Sequence, residues 1–360
     1  MKSKSLLPVW TIIAPVIAWL FYFGKSFDLP GWFTLLLAAS LIGAVMAAVH
    51  HAEVIAHRVG EPYGTLVLAI AITIIEVSLI VSLMLSGGAE TAALARDTVF
   101  AAVMIIFTGI IGLCLLVGGY RHREQVFGQH GVSAALVTVT AISVLTLVLP
   151  NYTTSVPGPV YNTSQLIFVA LVSLVLYVAF VMVQTIRHRD YFLPPEAAEN
   201  EEVHAAPPTN KETILSLALL MACLIAVVLL SKVLAPTIEQ GVVNLGAPKS
   251  LVGIIVALVI LLPEGLAAVR AARKNRLQTS LNLALGSALA SIGLTIPAVA
   301  AVSIFTGLSV TLGIDTKSTV LLMLSLLTII VSFGTGRTTI LQGVVLLVIF
   351  SVYLFTTIVP

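Results

Sequence analysis

Residues 251–297, LVGIIVALVILLPEGLAAVRAARKNRLQTSLNLALGSALASIGLTIP, hold two long apolar runs separated by one short basic turn. The first run carries a single carboxylate, Glu264, directly after Pro263, in a helix expected over about 250–272. A carboxylate at bilayer depth costs about 2.5–3.5 kcal/mol on insertion scales, so such a residue is functional as a rule. One other acidic residue is placed this way: Glu76, 188 positions earlier, in TLVLAIAITIIEVSLIVSLML. The other fourteen Asp and Glu fall in loops or near the ends of apolar runs. The rest of the chain is expected to serve these two glutamates.

Working outward, the composition excludes a soluble protein: 59% of residues are hydrophobic and only 9% are charged. Runs of about twenty apolar residues form transmembrane helices, because lipid offers no partner to an unpaired backbone group. Eleven are expected, at about 9–24, 33–52, 64–85, 98–119, 132–149, 164–186, 213–235, 250–272, 279–308, 318–334 and 339–358. They leave no room for a separate soluble domain in 360 residues. A net charge of +2 says little about partners, but neither a nucleic-acid-binding patch nor a cofactor fingerprint is visible, so no nucleic acid and no cofactor are expected. Cys114 and Cys223 fall in separate apolar segments, which suggests neither a disulfide nor a thiolate metal site. The start, MKSKSLLPVW, has signal-like lysines but no small-residue cleavage motif, so it reads as a retained first helix.

Lysine and arginine set the expected topology. Numbering loops by the eleven helices, the N-terminus and the loops after even-numbered helices carry thirteen of the eighteen Lys and Arg, and the opposite side carries five. The positive-inside rule then puts the N-terminus in the cytoplasm and the C-terminus in the periplasm of a bacterial inner membrane.

The longest polar stretch, RHRDYFLPPEAAENEEVHAAPPTNKE, lies between the sixth and seventh helices and holds Glu196, Glu199, Glu201 and Glu202. It divides the chain into halves that echo each other. Glu53 precedes Gly60 by seven residues, then come Pro62 and the helix of Glu76; Glu239 precedes Gly246 by seven, then come Pro248 and the helix of Glu264. Ile111-Gly112-Leu113 recurs as Ile292-Gly293-Leu294. The charge topology starts the Glu76 helix inside and the Glu264 helix outside, so the repeat is inverted, a secondary-transporter architecture.

Each candidate group has a bland counterpart. A lone membrane glutamate can be a neutral, hydrogen-bonded packing residue; two at matching places in inverted repeats favour ion binding. Pro263 is expected to break the helix and free a carbonyl beside Glu264, and carboxylate plus carbonyl is a ligand set for a hard cation. Thr73, Ser78, Thr108, Asn282, Ser287 and Ser291 are candidate ion-path oxygens, although membrane Ser and Thr more often bond their own backbone. His50, His51 and His57 match no metal spacing and read as a solvated helix end. The acidic linker reads as a cation sensor or as a plain connector. Gly109, Gly112, Gly118 and Gly119 are expected to admit a neighbouring helix.

These residues resemble the calcium/cation antiporter superfamily, in its cation/proton exchanger branch and near the bacterial calcium (sodium, potassium)/proton antiporters. AEVIAHRVGEPYG leading into IIEVSLIVSLML is similar to the family's first repeat, and LLPEGLAAVRAARKNRLQTSLNLALGSALASIGLTIP to its second. The resemblance implies an all-α polytopic membrane protein with a leading helix (1–31), a first five-helix repeat (32–186), an acidic cytoplasmic linker (187–212) and a second five-helix repeat (213–360). It implies that Glu76 and Glu264 bind cation and proton alternately, with Ca2+, Na+, K+ and H+ as cargo and no cofactor. The lipid bilayer and small cations are the implied partners, and self-association into a homo-oligomer is left open. Where the family often writes Gly-Asn-Ala-x-Glu, this chain has Ile72-Thr73-Ile74-Ile75-Glu76 and Ile260-Leu261-Leu262-Pro263-Glu264. Loss of both asparagines argues against strict calcium selectivity. A cation channel, a strict calcium/proton exchanger and an intramembrane carboxylate enzyme are the competing readings; the last lacks its motifs.

Overall fold

The computed structural model describes residues 7–25, 31–60, 63–87, 91–193, 208–244, 246, 248 and 250–359. They form eleven helices: α1 (Val9–Gly24), α2 (Trp32–Val59), α3 (Tyr63–Gly87), α4 (Leu94–His122), α5 (Gln129–Tyr152), α6 (Thr163–Arg187), α7 (Asn210–Asn244), α8 (Ser250–Arg273), α9 (Leu277–Thr306), α10 (Thr316–Phe333) and α11 (Ile340–Ile358). Ten are long and apolar enough to cross a membrane; α1, at 16 residues, is shorter. The expected all-α membrane architecture is thus present. A two-stranded antiparallel ribbon, β1 (Glu124–Val126) with β2 (Arg337–Thr339), is the one sheet among the described residues.

Several helices outrun their expected ends. The run VHHAEVIAHRV, read as a polar exit, is the last part of α2, because His51, Ala52, Val54 and Ile55 all point into packing. Pro236 sits inside α7 without ending it, so that helix extends to Asn244. Pro263 likewise lies inside an unbroken α8. The expected break is therefore a missing rung: proline withdraws the donor that would meet the Val259 carbonyl, while packing on either side holds the helix together.

By contacts the chain falls into two compact units. Unit 1 spans Met1–Gly88 and Val203–Asn244; unit 2 spans Ala89–Glu202 and Leu245–Pro360. This division differs from the division into sequence halves, because α7 packs with α2 and α3 while α8 packs with α4 and α9.

In unit 1, α1, α2, α3 and α7 pack on one another. The turn from α2 to α3 uses Gly60 at φ 73°, which a residue with a Cβ adopts at a cost. Gly64 lets α3 start against the Ala56 carbonyl, where a Cβ would clash. Gly246, the counterpart of Gly60 in the sequence echo, also has a positive φ, 68°. The indole of Trp19 donates to the Ala222 carbonyl (3.2 Å), and Arg58 donates to the Pro208 carbonyl (3.1 Å) and Asn210 Oδ1 (2.6 Å).

Unit 2 is stapled at both ends. At the ribbon end, Gln125 donates to the Ala272 carbonyl (2.9 Å) and to Asn275 Oδ1 (3.0 Å), and a His122 ring nitrogen meets the Arg273 carbonyl at 3.1 Å. At the opposite end, Arg96 donates to Asp97 (2.8 Å) and to the Gly313 carbonyl (3.0 Å), while Lys317 donates to the Thr356 carbonyl (2.6 Å). Asp315 caps α10 by accepting from the Ser318 N–H at 2.6 Å. Burial pushes its carboxyl up, but the Ser318 hydrogen bonds and the charges of Lys317 and Arg96 outweigh that and hold it below the usual range. The glycines of α4 serve packing as expected: a Cβ on Gly112 would meet Leu346 and Leu347 of α11 at 3.1 Å, and one on Gly119 would meet the Ile340 nitrogen at 2.7 Å.

Candidate functional site

Glu76 lies in the middle of α3 and is 2% exposed. Its face of the helix also buries Thr73, Leu79, Ile80 and Leu83. Thr73 is one turn earlier, so it shares that face at the i, i+3 spacing. The Thr73 hydroxyl is buried and makes no hydrogen bond among the described residues. A buried hydroxyl without a partner costs about 1–3 kcal/mol, which marks Thr73 as an exception on the face of Glu76. Ser78 is half-buried and one residue off that stripe. All three belong to unit 1.

Glu264 belongs to unit 2 and is half-buried in α8. Two close approaches fix the helix around it. A Cβ on Gly253 would meet the Asp97 and Thr98 backbone at 2.9 Å, and one on Gly265 would meet the Ile110 side chain at 3.1 Å. Ile110 ends a π-helical turn, Ile105–Ile110, inside α4. π-turns often mark functional places because they release regular backbone pairing. The turn carries Thr108, which is fully buried and donates to the Met104 carbonyl at 2.5 Å. The structure therefore sets the Thr108 turn against the Glu264 stretch, with the Thr108 hydroxyl hydrogen committed to its own helix and its lone pairs available.

On α9, Ser291 is 5% exposed and Ser287 is half-buried. Asn282 is employed elsewhere: its amide donates to the Phe192 carbonyl (2.6 Å), and its oxygen accepts from Gln278 (2.9 Å). Gln278 Oε1 in turn accepts from the Gly128 N–H at 2.6 Å. Asn282 is thus part of a structural clasp near the ribbon end. Glu196, Glu199, Glu201 and Glu202 lie outside the described residues.

Sequence reasoning did not single out Thr295, which is fully buried on α9 with a hydroxyl that has no partner among the described residues; its signal was only membership of a hydroxyl-rich helix. Nor did it foresee the pocket of about 140 Å3 between the first turns of α4, α8 and α10 and the last turns of α11, lined by Arg96, Asp97, Asp315, Lys317 and Tyr353. Four charges near the ends of apolar runs were its trace in the sequence. His51 corrects an expectation: the histidines of α2 are not all solvated, for His51 is fully buried, with Nε2 3.1 Å from the Thr11 carbonyl. Among the described residues no three His, Cys, Asp or Glu gather where they could hold a metal. Cys114 and Cys223 are free and buried.

The model of the sodium/calcium exchanger protein family matches residues 29–186 and 215–359. The chain belongs to that family. A putative ionic transporter, y4hA of Sinorhizobium fredii, is 50% identical over 331 residues, covering 91% of this chain and 89% of that one. The sodium-potassium/proton antiporter ChaA of Escherichia coli is 35% identical over 359 residues, covering 99% and 96%. In fold, the chain is similar to native YfkE, with TM-score 0.74 at 20% identity over 98% of this chain and all of that one. It is also similar to the H+/Ca2+ exchanger CAX, with TM-score 0.70 at 15% identity over 96% and 87%. The exchanger resemblance read from the two repeats is thereby shown, and the family is one of membrane transporters.

Proposed function

We propose that this chain is a secondary cation/proton antiporter of the bacterial inner membrane, which exports Ca2+ and also Na+ and K+ in exchange for protons by alternating access. Glu76 and Glu264 bind cation and proton in turn. The observation that carries the reading is Glu76: a carboxylate 2% exposed in the middle of an apolar helix, with an unbonded hydroxyl one turn away. Burying such a group is expensive unless something compensates its charge, and a cation or a proton does so in alternation. The names of ChaA and of the CAX structure support proton-coupled cation exchange. Thr73, Thr108, Ser78, Ser287 and Ser291 are proposed to supply further oxygens along the ion path. The N-terminus is proposed to face the cytoplasm and the C-terminus the periplasm.

The test is exchange in proteoliposomes. A proton gradient of either sign should drive cation movement in the opposite direction, and collapsing the gradient with a protonophore should stop it. Flux that continues at full rate without a proton gradient would indicate a channel.

A further inference from the structure

Unit 2 keeps its unused positive charge at one end. At the ribbon end Arg121, Arg123, Arg187, Arg189, Arg273 and Lys274 are exposed, and none of the six makes an ion pair among the described residues. These side chains share one end because their helices are tied there: the His122 ring meets the Arg273 carbonyl, Gly128 donates to Gln278, and Asn282 donates to the Phe192 carbonyl. Among the described residues the exposed acids there are Glu124, already 3.3 Å from Arg337, and Asp190. The opposite end is built differently, for Arg96 is consumed by Asp97 and the Gly313 carbonyl, and Lys317 by the Thr356 carbonyl. An inside-outside charge bias explains where the cations are. It does not explain why Arg96 and Lys317 at one end are satisfied by protein while these six at the other make no ion pair among the described residues.

Two of these cations also border exposed apolar side chains. Tyr120, beside Arg121, is 84% exposed, and Ile186, beside Arg187, is 66% exposed. An exposed Tyr at a helix end sits at the level of the lipid headgroups, and an exposed aliphatic side chain beside it meets the acyl chains. We propose that this end of unit 2 is a binding rim for anionic phospholipid, with the six side chains holding headgroup phosphates while the acyl chains cover the apolar surface beneath. A soluble polyanion would satisfy only the charge; a lipid satisfies both. Basic residues near a membrane surface attract anionic lipid within about a Debye length, roughly 8 Å at physiological salt. The inference needs the chain to span a membrane but does not need the exchange reading.

The purified full chain in neutral detergent decides the matter. Phosphatidylglycerol should raise the thermal unfolding midpoint by several degrees and phosphatidylcholine should not. The shift should vanish in 1 M salt and in a variant with all six residues changed to Gln. It should persist when the five arginines become Lys and Lys274 becomes Arg. It should also persist in Glu264→Gln, so a failed exchange reading leaves this test intact. Equal stabilisation by both lipids, or an undiminished shift in the Gln variant, would overturn the proposal. A phosphatidylglycerol shift that emerges only after residues 196–204 are deleted would overturn it as well, by assigning the rim to the chain's own acidic segment.

Discussion

At the scale of single residues, polarity was legible where it contrasts with its surroundings. Glu76 and Glu264 stand out because every neighbour within one turn on the chain is apolar or small, and insertion cost makes such exceptions meaningful. Hydroxyls were less legible, since their use depends on side-chain direction, which packing sets. Thr73 has a buried, unbonded hydroxyl, whereas Asn282, equally polar on paper, is spent on the Phe192 carbonyl. Glu76→Gln and Glu264→Gln should each reduce proton-driven exchange to the level of empty liposomes, while the purified protein keeps its helical circular dichroism. An amide cannot exchange a cation for a proton, so residual exchange in either folded variant would refute the assignment. Thr73→Val keeps the shape and removes the hydroxyl. It should raise the cation concentration needed for half-maximal exchange several-fold and leave thermal stability unchanged or higher, because an unsatisfied buried group is removed. An unchanged cation dependence would take Thr73 out of the site.

At the scale of helices, apolar length was enough to find all eleven, and their ends were misjudged for a physical reason. Polar residues at a membrane boundary do not stop a helix when one face still packs, as His51 and Ala52 show in α2. Proline does not stop one when neighbours hold both sides, as Pro263 shows in α8. The ribbon and the Gln125 clasp left no periodic signal, because they depend on residues brought together from separate loops. Gly118 is where that clasp can be tested. A Cβ there would overlap the Gln125 amide, which donates to the Ala272 carbonyl at the end of α8. Gly118→Ala should cost about 1–3 kcal/mol through the displaced, unsatisfied amide, read as a lowered midpoint in thermal unfolding. Full stability would mean that Gln125 can be rehoused. The acidic segment is a second test at this scale. Deleting residues 196–204 should leave maximal exchange intact and shift only its dependence on cation concentration; loss of exchange in a well-folded deletion would make the segment part of the transport machinery.

For the whole molecule, the cation preferred and the response to pH follow from how many oxygens the site can muster. Calcium is held well when six to eight oxygens replace its water shell. Here both glutamates lack the asparagine that related exchangers often place three residues earlier, and at those positions stand Thr73 and Leu261. Hydroxyls, backbone carbonyls and retained water must make up the set. The deficit hurts calcium more than sodium or potassium, because a divalent ion loses more hydration energy on entering a site. The proposed exchanger should therefore move calcium and also both monovalent ions. On the proposed mechanism protons and cations compete for the same carboxylate oxygens, so a cation would load only after the proton has left. As pH rises the deprotonated fraction grows, and exchange at fixed, sub-saturating cation should rise from about pH 6.5 towards pH 9, with the apparent cation affinity increasing in step. If the two glutamates act on one cycle, as proposed, the rise should be lost as a unit in either Gln variant. Proteoliposomes loaded with calcium, sodium or potassium over that range provide the measurement. Exchange confined to calcium, or exchange that falls steadily as pH rises, would show that the ligand count or the competition has been misread.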